Sequence, residues 1–284
     1  MRTSLALLAA GLLCAAPALA QTAGDKVLAL GRQYLGVPYL VGPFGEGPTG
    51  KYDRNPLSRF DGFDCTTFVE TVTALAVSES TGGDFQTTLN RIRYKDGDVE
   101  FTSRNHFTDL DWIPNNVRAG FYRDVTESVA PGRTLVASAL IDKRAWYEKM
   151  PDSRIQRPDL SAADKKKLLA ELHGEGARYS PQEATVPYIP LTTLFAPGGG
   201  KLFDAIPSGA VIDIVRPNWD LTKEIGTHLN ISHQGFAVRQ DGVLYFLEAS
   251  EVYGKVSMVP LADYLRQYLD STTIKGINVL RIVP

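Results

Sequence analysis

Cysteine is the scarcest residue in this chain of 284 residues, which contains only Cys14 and Cys65. Two cysteines exclude a multi-disulfide framework, a cysteine-rich zinc module and an iron–sulfur cluster. The chain also lacks a basic excess, because 30 Lys and Arg residues stand against 32 Asp and Glu residues. We therefore expect no nucleic-acid partner and no electrostatic attraction to an anionic membrane surface.

The first twenty residues have the pattern of a secretory signal peptide. Arg2 gives a positive start, an apolar run follows from Leu5 to Ala16, and Ala18-Leu19-Ala20 provides a small-x-small cleavage site. The run is too short to span a membrane. Cys14 lies inside it, but two leucines precede Cys14 where a lipoprotein signal needs a small residue. The sequence predicts cleavage after Ala20 and a periplasmic or secreted protein without membrane insertion.

Cleavage would leave Cys65 as a single thiol in an oxidising compartment, where it is either buried and inert or kept for its chemistry. Asp64 is a plausible N-cap for a helix that begins at Cys65. The free N–H groups and the dipole at a helix start favour a thiolate. The amides of Cys65 and Thr66 are also placed to receive an oxyanion. The alternative is that Cys65 is a small core residue.

Periodicity predicts an α+β fold in which N-terminal helices pack on a C-terminal antiparallel sheet. Helices are predicted from about Ala23 to Tyr34, from Cys65 onward, and from Ser161 to Gly174. No linker or repeat divides the mature chain, so one domain is expected over residues 21–284. The last third has alternating runs that predict strands over Ala210–Val215, Leu229–Arg239, Val243–Ala249 and Ile277–Val283.

Among four histidines, His233 is the best candidate for a base, because its strand face also carries core residues. His228 lies on the opposite face of the same strand, which we expect to be exposed. His106 is predicted in a loop, and His173 on the solvated face of a helix.

A turn at Asp241-Gly242 would fix the partners of His233. Gln240 then faces Val243, and Ser250 lies opposite His233. Glu248 lies diagonal to His233 and opposite Gly235, which leaves room for a long side chain. A thiol, an imidazole and an orienting oxygen would then converge as nucleophile, base and orienter. A one-residue slip would move Glu248 to the other face.

The sequence resembles the NlpC/P60 superfamily of papain-like cell-wall cysteine hydrolases. The resemblance rests on Asp64-Cys65, Ser232-His233-Gln234-Gly235 and Leu35-Gly36-Val37-Pro38-Tyr39. It is similar more closely to the DUF1460 family of N-acetylmuramoyl-L-alanine amidase-like proteins, on the segments Asp64–Glu70, Asp111–Asn116, Tyr188–Pro190 and Val256–Tyr264. The resemblance covers nearly the whole mature chain and implies a papain-like NlpC/P60 fold with family-specific insertions.

The same resemblance implies hydrolysis of the amide between the lactyl group of a 1,6-anhydro-muramic acid and L-Ala. It implies that Cys65 is the nucleophile and His233 the base, with Tyr39 near the oxyanion. Relatives often have His-Ala-Ser on the last hairpin strand, where this chain has Glu248-Ala249-Ser250. The third catalytic role therefore stays open between Glu248 and Ser250.

The segment from Arg104 to Asn116 is the predicted substrate-binding region. Arg104 is expected to pair with a stem-peptide carboxylate, and Trp112 either packs on a sugar or belongs to the core. Asp111 and Asn116 complete the predicted contacts. His106, Asp109 and Asp111 form the one cluster of metal-ligand types, but we expect no metal and no cofactor. The Gly-rich stretch ending at Lys51 has Tyr52 where a phosphate loop requires Ser or Thr.

Two other functions remain open. The same chemistry could cut the stem peptide between γ-D-Glu and the diamino acid. Alternatively, the protein is a non-catalytic peptidoglycan-binding module in which Cys65 is structural. In each case muropeptides are the expected partner, and the protein is expected to act as a monomer.

Overall fold

The computed structural model describes residues 22–283, so the predicted signal peptide and Cys14 lie outside the described residues. None of the described helices has the length and apolar character needed to cross a membrane. The α-helices are α1 (Ala23–Arg32), α2 (Cys65–Thr81), α3 (Phe85–Arg93), α4 (Ile113–Arg118), α5 (Thr126–Val129), α6 (Lys143–Glu148), α7 (Ala162–Gly176), α8 (Leu191–Leu194), α9 (Gly200–Ala205) and α10 (Leu261–Arg266).

An antiparallel sheet runs through the described chain in the order β2-β3-β8-β4-β5-β6-β7, and β1 also pairs with β8. Its strands are β1 (Tyr122–Asp124), β2 (Leu135–Ile141), β3 (Gln182–Pro190), β4 (Ala210–Leu221), β5 (Thr227–Gln240), β6 (Val243–Ser250), β7 (Lys255–Pro260) and β8 (Gly276–Ile282). The predicted α+β class is confirmed.

The expected C-terminal sheet is only part of the observed one, because β1, β2 and β3 lie in the middle of the chain. In β2 the exposed positions Val136 and Leu140 are as apolar as the buried positions Ala137 and Ala139. The alternation that marks a half-buried strand is therefore missing. β3 contains two prolines, which argue against a strand in sequence analysis.

Helices cover both faces of the sheet. On one face α2 contributes Phe68, which packs edge-on against Phe236 of β5. On the other face α10 contributes Leu261, which packs in a cluster with Phe246 of β6. Because both faces are covered, the expectation that the strand face of His228 is exposed was wrong. Asn230 and Gln234, which were assigned to that face, are buried. His228 itself is partly exposed and lies 3.8 Å from Asp220.

The helix α2 begins at Cys65, as predicted. The Asp64 carboxylate accepts the Thr67 N–H at 2.7 Å and the Thr67 hydroxyl at 2.8 Å, which satisfies the helix start. Its other oxygen accepts the N–H of Gly42 at 3.1 Å. Asp64 therefore holds both the start of α2 and the loop that lies beside it.

Candidate active site

Cys65, at the first turn of α2, lies beside His233 of β5. Burial alone would lower the pKa of His233, but the neighbouring Cys65 and Glu248 outweigh this effect and raise it to about 10. Glu248 also hydrogen-bonds the imidazole. His233 is therefore an imidazolium at neutral pH, next to a partly buried thiol.

Glu248 holds the imidazole from the β6 side. The Nε2 atom of His233 donates a hydrogen bond to Oε2 of Glu248, whose side chain is 1% exposed. Ser250 is also buried, but its hydroxyl accepts the N–H of Tyr253 at 3.3 Å. Of the two residues that the sequence left open for the third role, Glu248 contacts the base in this structure.

The predicted hairpin register is correct over its paired part, from Gln240↔Val243 to Phe236↔Leu247. The ladder ends there, so Glu248 reaches His233 beyond the last β5–β6 pair. The space at Gly235 was wrongly assigned to Glu248. A Cβ at Gly235 would lie 2.6 Å from the ring of Phe246, and this ring packs edge-on against His233.

Tyr39 connects the site to two neighbouring segments. Its N–H donates to the carbonyl of Gly254 at 2.9 Å, in the turn between β6 and β7. It also pairs as an isolated bridge with Phe63, two residues before Cys65. Burial raises the pKa of Tyr39 above its ordinary value, and nearby Cys65 and Asp64 raise it further. The phenol is therefore a protonated donor close to the thiol.

The start of α2 also offers backbone donors. The N–H groups of Thr67 and Phe68 donate to Asp64. The N–H groups of Cys65 and Thr66 are the first two of the helix, which have no acceptor within it. The Thr66 hydroxyl lies 3.9 Å from the Cys65 sulfur. These two amides suit a developing negative charge on a carbonyl oxygen.

A cleft of about 190 Å³ opens on the His233 side of the pair. Cys65 is not among its lining residues. The charged and aromatic groups that line the cleft are Arg216, Trp219, His233, Glu248, Glu251, Tyr264 and Tyr268.

The model of the AmiA-like family, N-acetylmuramoyl-L-alanine amidase-like proteins, matches residues 29–273 of this chain. The chain belongs to the AmiA-like family. It is 41% identical to a Legionella pneumophila protein of the DUF1460 family, over 92% of this chain and 89% of that one, with a TM-score of 0.88. The resemblance to DUF1460 is confirmed.

A second structural neighbour is an N-acetylmuramoyl-L-alanine amidase from Bacteroides uniformis. It is 29% identical, with a TM-score of 0.64, over 92% of this chain and 99% of that one. No curated protein matches the chain. The AmiA-like family and these neighbours indicate amidase function.

The predicted substrate-binding residues of this AmiA-like chain lie apart from Cys65 and His233. Arg104 is 9% exposed, and its guanidinium pairs with Glu46 and with Asp53. Asp111 pairs with Lys143 at 2.5 Å. Both Arg104 and Asp111 line a larger cavity of about 380 Å³, whose lining includes neither Cys65 nor His233. The carboxylate partners of Arg104 thus come from the protein itself.

Trp112 and Asn116 are fully buried. The Trp112 indole donates to Glu70 at 3.1 Å, and Glu70 also accepts from Arg93 at 2.7 Å. Asn116 donates to two backbone carbonyls, those of Ile92 and Trp112. The core alternative for Trp112 fits this position, because a fully buried indole offers no face to a sugar.

The described residues contain no group of three potential ligands that could hold a metal ion. His106 lies in a loop, as expected, and hydrogen-bonds the carbonyl of Phe101 at 2.8 Å, while Asp109 accepts from Asn230. His173 was wrongly expected to be solvated, because it is partly buried against the carbonyl of Met150 at 3.0 Å.

Three site residues escaped sequence analysis: Arg216, Trp219 and Tyr264. Tyr264 packs 4.7 Å from Phe246, and burial raises its pKa, with a further contribution from Glu248. Tyr264 lies in the short helix α10. Nothing in the sequence marked it as a site residue, apart from its position in a segment that resembles DUF1460. Arg216 and Trp219 follow the predicted end of a strand at Val215, so no pattern pointed to them.

Proposed function

We propose that this protein is a cysteine amidase of muropeptides. It hydrolyses the amide between the lactyl carbonyl of N-acetylmuramic acid, in the 1,6-anhydro form, and L-Ala. The observation that carries this proposal is the electrostatic coupling of Cys65, at a helix start, to His233, whose imidazole is hydrogen-bonded to the buried Glu248. In an AmiA-like chain, this is the arrangement of nucleophile, acid–base and orienter that acyl transfer requires.

The reaction begins with the Cys65 thiolate and the His233 imidazolium. Sulfur attacks the lactyl carbonyl carbon, and the amides of Cys65 and Thr66, with the phenol of Tyr39, receive the oxyanion. The C–N bond breaks as the imidazolium gives its proton to the leaving amine of L-Ala. His233, now neutral, takes a proton from water, whose hydroxide attacks the thioester. Thiolate and imidazolium are restored as the lactyl carboxylic acid leaves.

The wider assignment follows the same evidence. A cysteine at the start of a helix facing a histidine on an antiparallel sheet supports membership of the papain-like NlpC/P60 superfamily. We infer one catalytic domain over residues 21–284, export through the signal peptide at residues 1–20, and action as a monomer. These inferences rest on the residue patterns and on the continuous sheet from β2 to β7.

The test is mass spectrometry of the products formed from purified disaccharide anhydro-muropeptides. Free disaccharide and an intact stem peptide are expected. A shortened stem that remains on the sugar would instead indicate the stem-peptide endopeptidase. The matched variant is Cys65→Ser, which retains a nucleophile of similar size but should lose turnover. Binding without turnover by the intact protein would favour the non-catalytic module.

A further inference from the structure

A wide bulge in β4 places Arg216 at the cleft. Val215 pairs with Ile231 and Trp219 pairs with Leu229, so the three residues 216–218 lie opposite a single residue of β5. Asn218 has φ 51, in the left-handed region that Asn tolerates better than most residues. Bulges of this kind occur next to active sites, where they redirect a side chain.

Buried hydrogen bonds hold the bulge. The N–H of Asn218 donates to the side-chain oxygen of Asn230 at 3.0 Å. The Asn230 amide in turn donates to Asp109 at 2.8 Å, and its backbone N–H donates to the same carboxylate oxygen at 3.2 Å. Asn230 is fully buried and Asp109 is 4% exposed, so the bulge has a fixed shape.

The guanidinium of Arg216 is oriented from two sides. Its Nε and Nη2 atoms donate to the hydroxyl of Thr273 at 3.1 and 2.8 Å. Its central carbon lies 3.5 Å from the centre of the Trp219 ring, which is a close stacking contact. The remaining donors of the guanidinium therefore have a defined position at the cleft.

Arg216 has no carboxylate partner within salt-bridge distance among residues 22–283. The cleft has two carboxylates, Glu248 and Glu251, and Glu248 is engaged by His233. An ordered, unpaired guanidinium is suited to bidentate pairing with a carboxylate. The guanidinium of Arg216 is thus the group in this cleft that is suited to bind a ligand carboxylate.

We propose that Arg216 binds the free α-carboxylate of the D-glutamate in the stem peptide, as a specificity-determining residue. This inference rests on the proposed function. L-Ala has no ionisable side chain, and the next residue, D-Glu, is linked through its γ-carboxyl. Its α-carboxylate is therefore the first negative charge on the leaving side of the scissile bond.

The experiment compares two anhydro-muropeptides that differ at one group, the D-Glu α-carboxylate or its amide. The wild-type protein should cleave the carboxylate form with a kcat/KM about 10- to 100-fold higher, the range of a charge-assisted hydrogen bond. Arg216→Gln, which keeps a polar side chain but is shorter and uncharged, should lose this factor on the carboxylate form and little on the amide form.

Two further variants separate positioning from folding. Thr273→Val removes the hydroxyl that orients the guanidinium, so it should weaken the preference for the carboxylate without lowering kcat/KM on the amide form. Arg118→Ala removes an exposed arginine outside the cleft and should leave the preference unchanged. Thermal melting identifies any variant that fails to fold.

Equal kcat/KM of the wild-type protein on both substrates would overturn the inference while leaving the proposed function intact. An equal loss on both substrates in folded Arg216→Gln would also overturn it, because Arg216 would then act only through structure. If the wild-type protein cleaves neither substrate, the proposed function itself fails.

Discussion

His233 donates its Nε2 hydrogen to the buried carboxylate of Glu248, across neighbouring strands of the sheet. This bond leaves Nδ1 as the ring nitrogen that can face Cys65, and it fixes the orientation of the imidazole. A buried carboxylate also stabilises the imidazolium, as in triads where an acidic residue orients the histidine. Glu248 is thus a positioning residue whose removal should alter the ionisation of His233.

Glu248→Gln should lower the pKa of His233 from about 10, because the carboxylate that favours the imidazolium is lost. The reaction needs the protonated imidazole to release the amine, so activity falls as pH rises through this pKa. We expect the alkaline limb of the kcat/KM profile to move to lower pH. At neutral pH kcat should fall by up to about 10⁴-fold, the loss that follows when the orienting carboxylate of a triad becomes an amide.

Ser250→Ala is the matched control for Glu248→Gln. The Ser250 hydroxyl accepts the N–H of Tyr253 and has no hydrogen bond to His233. The alkaline limb of this variant should coincide with that of the wild-type protein. A shift in Ser250→Ala without a shift in Glu248→Gln would assign the third role to Ser250 instead.

Asp64→Ala and Asp84→Ala form a second matched pair, because each Asp accepts the N–H of a Thr three residues later at 2.7 Å. Loss of either N-cap should cost about 1 kcal/mol of unfolding free energy. Only Asp64 also holds the N–H of Gly42 and the helix start that carries Cys65. Thermal melts should therefore report a loss of stability in both variants, whereas kcat/KM should fall only in Asp64→Ala. A comparable loss of activity in both would contradict a local role.

The arrangement of Cys65, His233 and Glu248 could be predicted because its signals are local in sequence. An Asp before a Cys at a helix start is visible within two residues. The tight turn at Asp241-Gly242 fixes the register from Gln240↔Val243 to Phe236↔Leu247, and Glu248 and His233 lie just beyond these pairs. Local sequence patterns are therefore sufficient to predict contacts between strands that a tight turn connects.

The predicted substrate-binding segment illustrates the limit of such rules. The partners of Arg104 are Glu46 and Asp53, which precede it by 58 and 51 residues, and no local pattern announces these pairs. Trp112 is fully buried in the core, and its indole donates to Glu70 of α2, which is 42 residues earlier in the chain. A charged or aromatic residue that has no partner nearby in the sequence can thus pair with a residue far away in the chain, and it is then not available to bind substrate.

The bulge in β4 was missed for a related reason. Alternation predicted a strand that ends at Val215, whereas β4 resumes its pairing at Trp219. The break depends on Asn230 of the neighbouring strand and on Asp109, more than 100 residues away. Sequence periodicity therefore describes the regular half of β4 and not the half that reaches the cleft.

Tyr39→Phe should reduce kcat with little change in KM. The phenol stays protonated because burial and the nearby Cys65 raise its pKa, so it can donate to the oxyanion. Loss of one such donor costs on the order of 100-fold in kcat in other hydrolases. Tyr188→Phe, in the core cluster with Val186 and Ile231, is the control and should retain kcat. A change confined to KM would indicate that Tyr39 binds substrate without stabilising the oxyanion.

The buried carboxyl group of Asp213 should make the stability of the folded protein depend on pH. It is fully buried on β4, next to Gln234, whose amide donates to one of its oxygens at 2.7 Å. The other carboxyl oxygen has no partner among the described residues. Burial raises the pKa of Asp213 to about 7, an effect that the bond from Gln234 only partly offsets.

Between its ordinary pKa of 3.8 and about 7, the folded protein retains a proton on Asp213 that the unfolded chain releases. The stabilising contribution is therefore complete below this window and is lost as pH rises through it. Asp213→Asn retains the acceptor for Gln234 and removes the charge. Its Tm should exceed that of the wild-type protein at about pH 8, by about 2–4 °C for each 1 kcal/mol, and match it at about pH 4. Asp204→Asn, at an exposed carboxylate of α9 that has no hydrogen bond or salt bridge among the described residues, should change neither value. If Asp213→Asn instead has a lower Tm than the wild-type protein at about pH 8, the ionised carboxylate stabilises the pairing of β4 with β5 next to His233.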